Sequence, residues 1–387
     1  MKLLDYLKID EPTLEKYISD KLIDRAHHDD FPLAILCYGR KAVYDNVWDS
    51  VTTKCRGLIY CTDTMEIIAR PFEKFFNYGD PIFGQYSEKL MGEPEIYEKL
   101  DGFLCILYEW EGKQYIASKG SFHSIHAKWA TAWFRERFGN RLWWNDAWKD
   151  YTYVFEGIMP DLRIVVNYGE EKSLRLLSLI HKETGEEATY EDVQDYAESL
   201  NLTFAKKCSF NLDKALKDAN TNKQNFEGYV LVWRRPGQTP FRLKVKYVEY
   251  LRLHRMVTQV SPKRILEALS QGWDSVLAEY VENSTPEFKA YVTKWKNYLT
   301  DEYQMIFDRV EKVFIDTRKD LGAPPYGNEL PTRKQWADYF TCVQWKDISA
   351  ALFAYLDGNI PQVRAIIWKT LKNKVSGAKP LVDAHNT

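Results

Sequence analysis

The sequence predicts an α+β fold: an antiparallel-sheet domain over residues 1–254, followed by an all-α C-terminal domain over residues 255–387. Short apolar runs bounded by turn residues recur through the first part and read as strands. After about His254 that pattern gives way to apolar residues at helical spacing. The second part also carries helix punctuation, with hydroxyl or apolar residues ahead of proline at starts and glycine at stops.

Taken in order, Pro32–Cys37, Arg56–Cys61 and Glu66–Pro71 are the first predicted strands. Glu95–Tyr97 is a short one, and Phe103–Trp110 follows it. The stretch from Phe103 to Tyr108 is apolar on both faces, as expected of a central strand covered on each side. Glu111-Gly112-Lys113 supplies a turn into Gln114–Ser118, making a hairpin that ends at Lys119. Thr152–Ile158, Leu174–His181, Phe226–Trp233 and Phe241–Val245 complete the strands. Helices interrupt at Ser124–Phe138, Tyr190–Leu200 and Leu212–Ala219. Such a mixture places helices on an antiparallel sheet.

Beyond His254, Ser261-Pro262, Thr285-Pro286 and Ile360-Pro361 mark helix starts. Phe288, Val292, Trp295, Leu299, Ile306, Val310 and Val313 hold one helical face until Gly322 and Pro324 end it. Trp336, Phe340 and Val343 repeat the period, as do Ile348, Leu352 and Tyr355, closed by Gly358. The tail from about Ser376 is expected to be loose.

Composition narrows the class. Hydrophobic residues make up 45% and charged residues 28%, the balance of a globular chain. MKLLDYLKIDEP mixes charge into its apolar positions, unlike a signal peptide, and no apolar run nears the roughly 18 residues of a membrane span. The expectation is a cytoplasmic protein, in the host cytoplasm if viral, with no membrane partner and no obligate protein partner. The six cysteines include no CxxC pair, and the histidine clusters His27-His28 and His123/His126 lack matching cysteines, so no zinc site is expected. A net charge of −2 excludes a globally basic nucleic-acid binder but leaves room for a local basic channel. Most of the 13 Trp and 25 Tyr are expected to pack in cores.

Chemistry concentrates at Glu98-Lys99-Leu100-Asp101-Gly102-Phe103, where one strand turns into the next. A lysine attacks phosphorus only when neutral, and neutralising an ordinary lysine at pH 7 costs ~4.6 kcal/mol. Nearby cations, a bound metal and partial burial reduce that cost. Asp101 lies near enough to orient the amine or to hold a metal's water. Lys244 and Lys246 alternate on one strand and therefore share a face, so both can converge on one phosphate.

Lys99-Leu100-Asp101-Gly102 resembles the Lys-x-Asp-Gly nucleophile motif of the covalent nucleotidyltransferases, which include DNA ligases, capping guanylyltransferases and RNA ligases. Five further elements follow that superfamily's order. They are Cys55-Arg56-Gly57, the string Arg70-Pro71-Phe72-Glu73-Lys74-Phe75-Phe76-Asn77, Ser118-Lys119-Gly120-Ser121, Phe155-Glu156-Gly157, and Phe226-Glu227-Gly228-Tyr229-Val230 with Leu243-Lys244-Val245-Lys246. The long aromatic string is particularly similar to the phage RNA ligase branch. The one departure is Phe103, where the superfamily commonly carries a small hydroxyl residue.

The resemblance implies a nucleotidyltransferase (adenylation) domain with Lys99 as nucleophile and Asp101, Lys119 and Lys246 as further catalytic residues. It assigns Lys246 and Lys244 to the α-phosphate of ATP, and Arg56, Lys74 and Lys119 to the remaining phosphates or the ribose. Glu156 is assigned to the ribose hydroxyls, and Tyr38 and Val230 to nucleotide contact. Glu227, and Asp274 beyond it, are assigned to a divalent metal, Mg²⁺ or Mn²⁺. The implied reaction joins an RNA 5′-phosphate to a 3′-hydroxyl through lysyl-AMP and adenylylated RNA. Helices after the last lysine motif are typical of the RNA ligase 1 group, whereas DNA ligases and capping enzymes usually continue into a strand-rich OB-fold. The expected partner is therefore single-stranded or nicked-loop RNA, tRNA included, with the helical domain selecting it in RNA repair. The rival readings are another enzyme of the superfamily, and a nucleotide-binding relative without catalysis.

Overall fold

A computed structural model describes residues 1–80, 92–139, 150–163, 165–272, 281, 286–328, 330–376 and 378. The chain divides into two compact units, Met1–His254 and Arg255–Ala384.

Three four-stranded sheets build the first unit. The first runs in the order β1 (Ile23–His27), β2 (Leu33–Tyr38), β3 (Arg56–Cys61), β4 (Ile67–Ala69) and is antiparallel throughout. One of its faces packs Leu36, Leu58 and Tyr60 against Leu3, Leu7 and Leu14 of the amino-terminal helices α1 (Leu3–Leu7) and α2 (Glu11–Ser19). The sequence reading missed these helices, although Asp10 caps α2 by accepting from the Thr13 amide at 3.0 Å, with Pro12 in the first turn. Between β2 and β3 lies the short helix α3 (Arg40–Tyr44).

Strands β5 (Phe76–Asn77), β6 (Glu95–Lys99), β7 (Phe103–Trp110), β8 (Lys113–Ser118), β9 (Tyr151–Ile158), β10 (Ser173–His181), β11 (Gly228–Trp233) and β12 (Phe241–Lys246) form the other two sheets. The second sheet is ordered β10-β9-β7-β8. As anticipated, β7 is covered twice. Its Leu104, Ile106 and Tyr108 meet Leu33, Ile35 and Ile59 of the first sheet, while Cys105 and Leu107 face the core beneath α4 (Ile125–Phe138) and α5 (Tyr190–Ser199). Glu111 and Gly112, at φ 51° and 72°, turn β7 into β8 with the positive dihedrals of a two-residue hairpin.

The third sheet is ordered β5-β12-β11-β6. It is antiparallel except for β5, which pairs with β12 in parallel, so the sheet expectation holds with one short exception. Tyr229, Leu231 and Leu243 point into a core with Ala215 of α6 (Leu212–Ala219) and Tyr250 of α7 (Val248–Gln259). The alternate residues, Val230 and Val232 among them, line a cavity on the opposite face.

In the second unit, α8 (Pro262–Ser270) precedes α9 (Pro286–Asp320), α10 (Arg333–Phe340), α11 (Ser349–Leu356) and α12 (Ile360–Leu371). Val310, Val313, Trp336, Phe340, Leu352 and Ile367 share its core, where Phe314 and Trp336 stack at 5.1 Å. Val343 departs from its expected place: α10 stops at Phe340, a 3-10 turn follows, and Val343 is 91% exposed. Most of the tail beyond Ser376 lies outside the described residues. Among the described residues, no helix is long and apolar enough to cross a membrane.

Candidate active site

Strand register assembles the centre. Gly228, the first residue of β11, sits opposite Lys99 at the end of β6 on one side and Lys246 at the end of β12 on the other. A side chain at Gly228 would place its Cβ 2.0 Å from the Val245 carbonyl oxygen, at φ +154°, so only glycine lets the strands close here. The preceding residue, Glu227, therefore projects between the two lysines. Its Oε2 lies 2.9 Å from Lys99 Nζ and its Oε1 2.8 Å from Lys246 Nζ, with the carboxylate 4% exposed.

The surroundings of Lys99 differ from the expectation that cations would lower its pKa. Burial does pull the pKa down, but Glu227, Glu156 and Asp101 overcome it, and the net shift is upward. In the resting site Lys99 is an ammonium. Glu227 is held below the usual glutamate range, because Lys99 and Lys246 outweigh its burial.

The cationic crowding falls instead on two other lysines. Burial first, then Lys74, Lys246, Lys99 and Arg56, push the Lys244 amine down to about 7. Burial and Arg56 push Lys74 down to about 8. Lys74 Nζ sits 4.5 Å from the Phe76 ring centre and 5.1 Å from that of Trp48, and donates to the Phe75 carbonyl at 3.2 Å.

Across from the third sheet, β9 presents Glu156. Its Oε1 accepts from the Gly102 amide at 3.0 Å, and burial raises its carboxyl to about 7 despite the opposing pull of Lys99. Gly157 leaves the space that Phe103 fills: a Cβ there would lie 2.4 Å from the Phe103 ring, which also meets His126 at 4.4 Å. The aromatic departure at Phe103 is thus a packing residue between β7, β9 and α4.

Asp101 is 6% exposed. Its Oδ2 accepts from the Val165 and Val166 amides at 3.0 and 2.7 Å, and its Oδ1 from the Tyr250 hydroxyl at 2.8 Å. These bonds anchor the turn after Lys99, while the carboxylate acts on the amine through its charge.

Between the second and third sheets lies a cavity of about 350 Å³, whose lining includes Arg56, Lys99, Lys119, Glu156 and Val230. Arg56 Nη1 is buried with no hydrogen-bond partner among the described residues, and its guanidinium lies 5.5 Å from the Phe75 ring centre. An orphaned guanidinium nitrogen beside a cavity fits an anionic or hydroxylated ligand. Lys119 Nζ stands 4.8 Å over the Tyr38 ring, which also meets Trp48 at 5.2 Å and Lys74 Nζ at 6.0 Å. Thus Tyr38, Arg56, Lys74, Lys99, Lys119, Glu156, Glu227, Val230, Lys244 and Lys246, which are scattered over more than 200 residues, converge here. Asp274 lies outside the described residues.

Sequence reasoning missed Tyr250, Trp48 and Arg242. Arg242 carried a usable signal, since it shares the two-residue phase of Lys244 and Lys246 on β12. Trp48 and Tyr250 carried none: one lies in the loop after α3, the other on α7, and only tertiary folding brings them in.

The chain is 25% identical over 385 residues to an RNA ligase of Rhodothermus phage RM378, covering 83% of this chain and 85% of that one. It is also 25% identical over 276 residues to a putative bifunctional polynucleotide kinase/RNA ligase of Autographa californica nuclear polyhedrosis virus, covering 65% of this chain and 38% of the viral protein. An archaeal ATP-dependent RNA ligase structure aligns with 81% of each chain at 14% identity and a TM-score of 0.43. The sequence model of the RNA ligase family matches residues 54–250, just over half of the chain. With that match spanning Lys99 and the strand that bears Lys244 and Lys246, the chain belongs to the RNA ligase family.

Proposed function

We propose that this RNA ligase works by ATP-dependent adenylylation of Lys99. The observation that carries the reading is the Glu227 carboxylate bridging Lys99 and Lys246, beside the cavity that Arg56, Lys119 and Glu156 line. ATP is the nucleotide: its ribose meets Glu156, its base lies along Val230, and its phosphates extend toward Lys244, Lys246 and Lys74.

First, the Lys99 nitrogen bonds to the α-phosphorus of ATP, the bond from that phosphorus to pyrophosphate breaks, and the amine loses a proton. An oxygen of an RNA 5′-phosphate then bonds to the same phosphorus, and the nitrogen–phosphorus bond breaks to restore the amine. Finally, an RNA 3′-hydroxyl oxygen bonds to the activated 5′-phosphorus and AMP leaves. All three are displacements at phosphorus, in which positioning and charge neutralisation dominate.

Lys99 must give up its proton, and its pairing with Glu227 opposes that. Glu227 fits a divalent cation as a hard oxygen donor, with both oxygens now engaged only by amines. Asp101 fits less well because its oxygens already accept from two amides and a hydroxyl. Among the described residues no three acidic, histidine or cysteine side chains cluster for a metal. Glu227 would hold an Mg²⁺ or Mn²⁺ ion, which would supply positive charge that competes with Lys99 for the carboxylate. Lys244 and Lys246 hold the α-phosphate from their shared strand face. The helical region, residues 255–387, selects a single-stranded or nicked-loop RNA of tRNA type.

The test pairs two assays. α-Labelled ATP with Mg²⁺ labels the wild-type protein and leaves Lys99→Ala unlabelled. A 5′-phosphorylated single-stranded RNA is circularised only with ATP. Label on Lys99→Ala would remove that residue from the mechanism, and circularisation without ATP would remove the nucleotide.

A further inference from the structure

The end of the cavity remote from Lys99 carries a polar arrangement that the adenylylation chemistry does not use. Along β11, Gly228 lies beside Lys99 and Lys246, whereas Val232 lies beside Glu95 and Arg242. Four strand residues separate those two points by about 13 Å. A nucleotide with its α-phosphate at Lys99, as proposed above, would direct the far edge of its base toward the other end.

Three residues that line this cavity, Ser178, Glu187 and Arg242, bond to one another there. Arg242 Nη1 donates to Glu187 Oε1 at 2.6 Å, its Nη2 donates to Oε2, and the Ser178 hydroxyl donates to that same Oε2 at 3.0 Å. Ser178 is 3% and Glu187 8% exposed. The guanidinium is backed by the Phe72 ring at 4.3 Å, which leaves the pair little room to rearrange. A register shift in β10 between Leu176 and Ser178 brings both Leu177 and Ser178 onto the cavity wall. In a regular strand, neighbours point to opposite faces, so the bulge re-aims the serine.

A serine hydroxyl has one hydrogen and two lone pairs. Here the hydrogen is committed to Glu187, so the oxygen offers the cavity only acceptor capacity. We propose that Ser178, fixed by Glu187 and Arg242, selects the base of the bound nucleotide by accepting from a 6-amino group and disfavouring a 6-oxo group. That selects adenine over hypoxanthine or guanine, by the rule that a committed buried polar group rejects the ligand that cannot complement it. The inference rests on the cavity being the nucleotide site proposed above.

The test measures kcat/KM for transfer of nucleotide to Lys99 with ATP, purine ribonucleoside triphosphate (no 6-substituent) and ITP (6-oxo). In the wild type the expected order is ATP, then purine ribonucleoside triphosphate, then ITP, with about tenfold between the first two. Ser178→Ala is expected to collapse that first gap to within about twofold, through KM rather than kcat. A gap that survives in Ser178→Ala overturns the proposal. Should the variant fold poorly, the wild-type order decides alone: purine ribonucleoside triphosphate or ITP equal to ATP overturns it. No transfer from any nucleotide in the wild type would instead overturn the reading of the cavity itself.

Discussion

Two half-buried lysines, Lys99 and Lys244, lie on different strands of one sheet and meet opposite electrostatic fates. Lys99 is ringed by Glu227, Glu156 and Asp101, which keep it charged against its burial. Lys244 feels its own burial first and then Lys74, Lys246, Lys99 and Arg56, and its pKa falls to about 7. The proposed nucleophile is thus held as a stable ion pair, while the crowding of like charges falls on a neighbouring residue. The difference assigns separate duties. The paired lysine is held in the resting fold by Glu227, and on the proposed mechanism it reacts only once that carboxylate is drawn off. Crowded cations instead await an anion, and a triphosphate would relieve them.

The severest way to break this division is to remove the paired amine. Lys99→Ala is expected to abolish label transfer from α-labelled ATP, and Lys99→Arg to do the same, because a guanidinium does not become neutral. Denaturing gels after incubation with ATP and Mg²⁺ read both. Glu227→Ala comes next. It strips one buried carboxylate from two ammoniums, and stranding buried charge in this way costs roughly 3–5 kcal/mol. Urea unfolding should show that loss, with label transfer greatly reduced. A variant as stable as the wild type would mean that Glu227 does not hold the two lysines together.

Lys244→Met tests the other side, and its effects on stability and activity are expected to have opposite signs. Below about pH 7 the folded state carries the full penalty of a charged Lys244 among cations. Between pH 7 and the ordinary lysine value the unfolded chain binds more protons than the folded one, so the wild type gains stability as pH rises. Lys244→Met should therefore be more stable than wild type at pH 6.5, by on the order of 1–3 kcal/mol. The advantage should shrink by pH 9. Label transfer should fall at both values, because on the proposed reading the α-phosphate loses a cation. Melting curves at the two pH values check the first claim; a constant difference between them would remove Lys244 titration as its source.

How much of this was legible in the sequence depended on whether a feature was local. The strands, the Gly112 turn and the helix starting beyond Ser124 follow from spacing within a few residues, and the structure has them close to where the pattern put them. The shared face of Lys244 and Lys246 was legible for the same reason, as a consequence of strand alternation. The charge state of Lys99 was not. It depends on Glu227, 128 residues away, and on Glu156 from another sheet, which only the register across Gly228 brings into range. Val343 was misjudged because helical period says nothing about where α10 ends. The bulge at Leu177 breaks the strand alternation, and neither Leu nor Ser announces such a break in sequence.

The mildest test sharpens the Lys99 side of the comparison. Tyr250→Phe keeps the ring that packs in the third sheet's core and removes only the hydroxyl bonded to Asp101 Oδ1. Losing one hydrogen bond to a buried carboxylate costs about 1.5–3 kcal/mol. The Asp101 carboxyl is already raised by burial and by Glu227, with the Tyr250 bond among the contacts pulling it back down. Without that bond Asp101 binds its proton more readily, and a protonated Asp101 no longer helps to hold Lys99 as an ammonium. Lys99 would then lose its proton more easily, but the turn carrying it would also be less firmly held. If position matters more than proton affinity, label transfer falls several-fold and its pH profile keeps its shape. If charge matters more, the acidic limb of the profile moves to lower pH. Single-turnover transfer from α-labelled ATP across pH 5.5–8.5 separates the two, and an unchanged rate and profile would show that Asp101 acts on Lys99 by neither route.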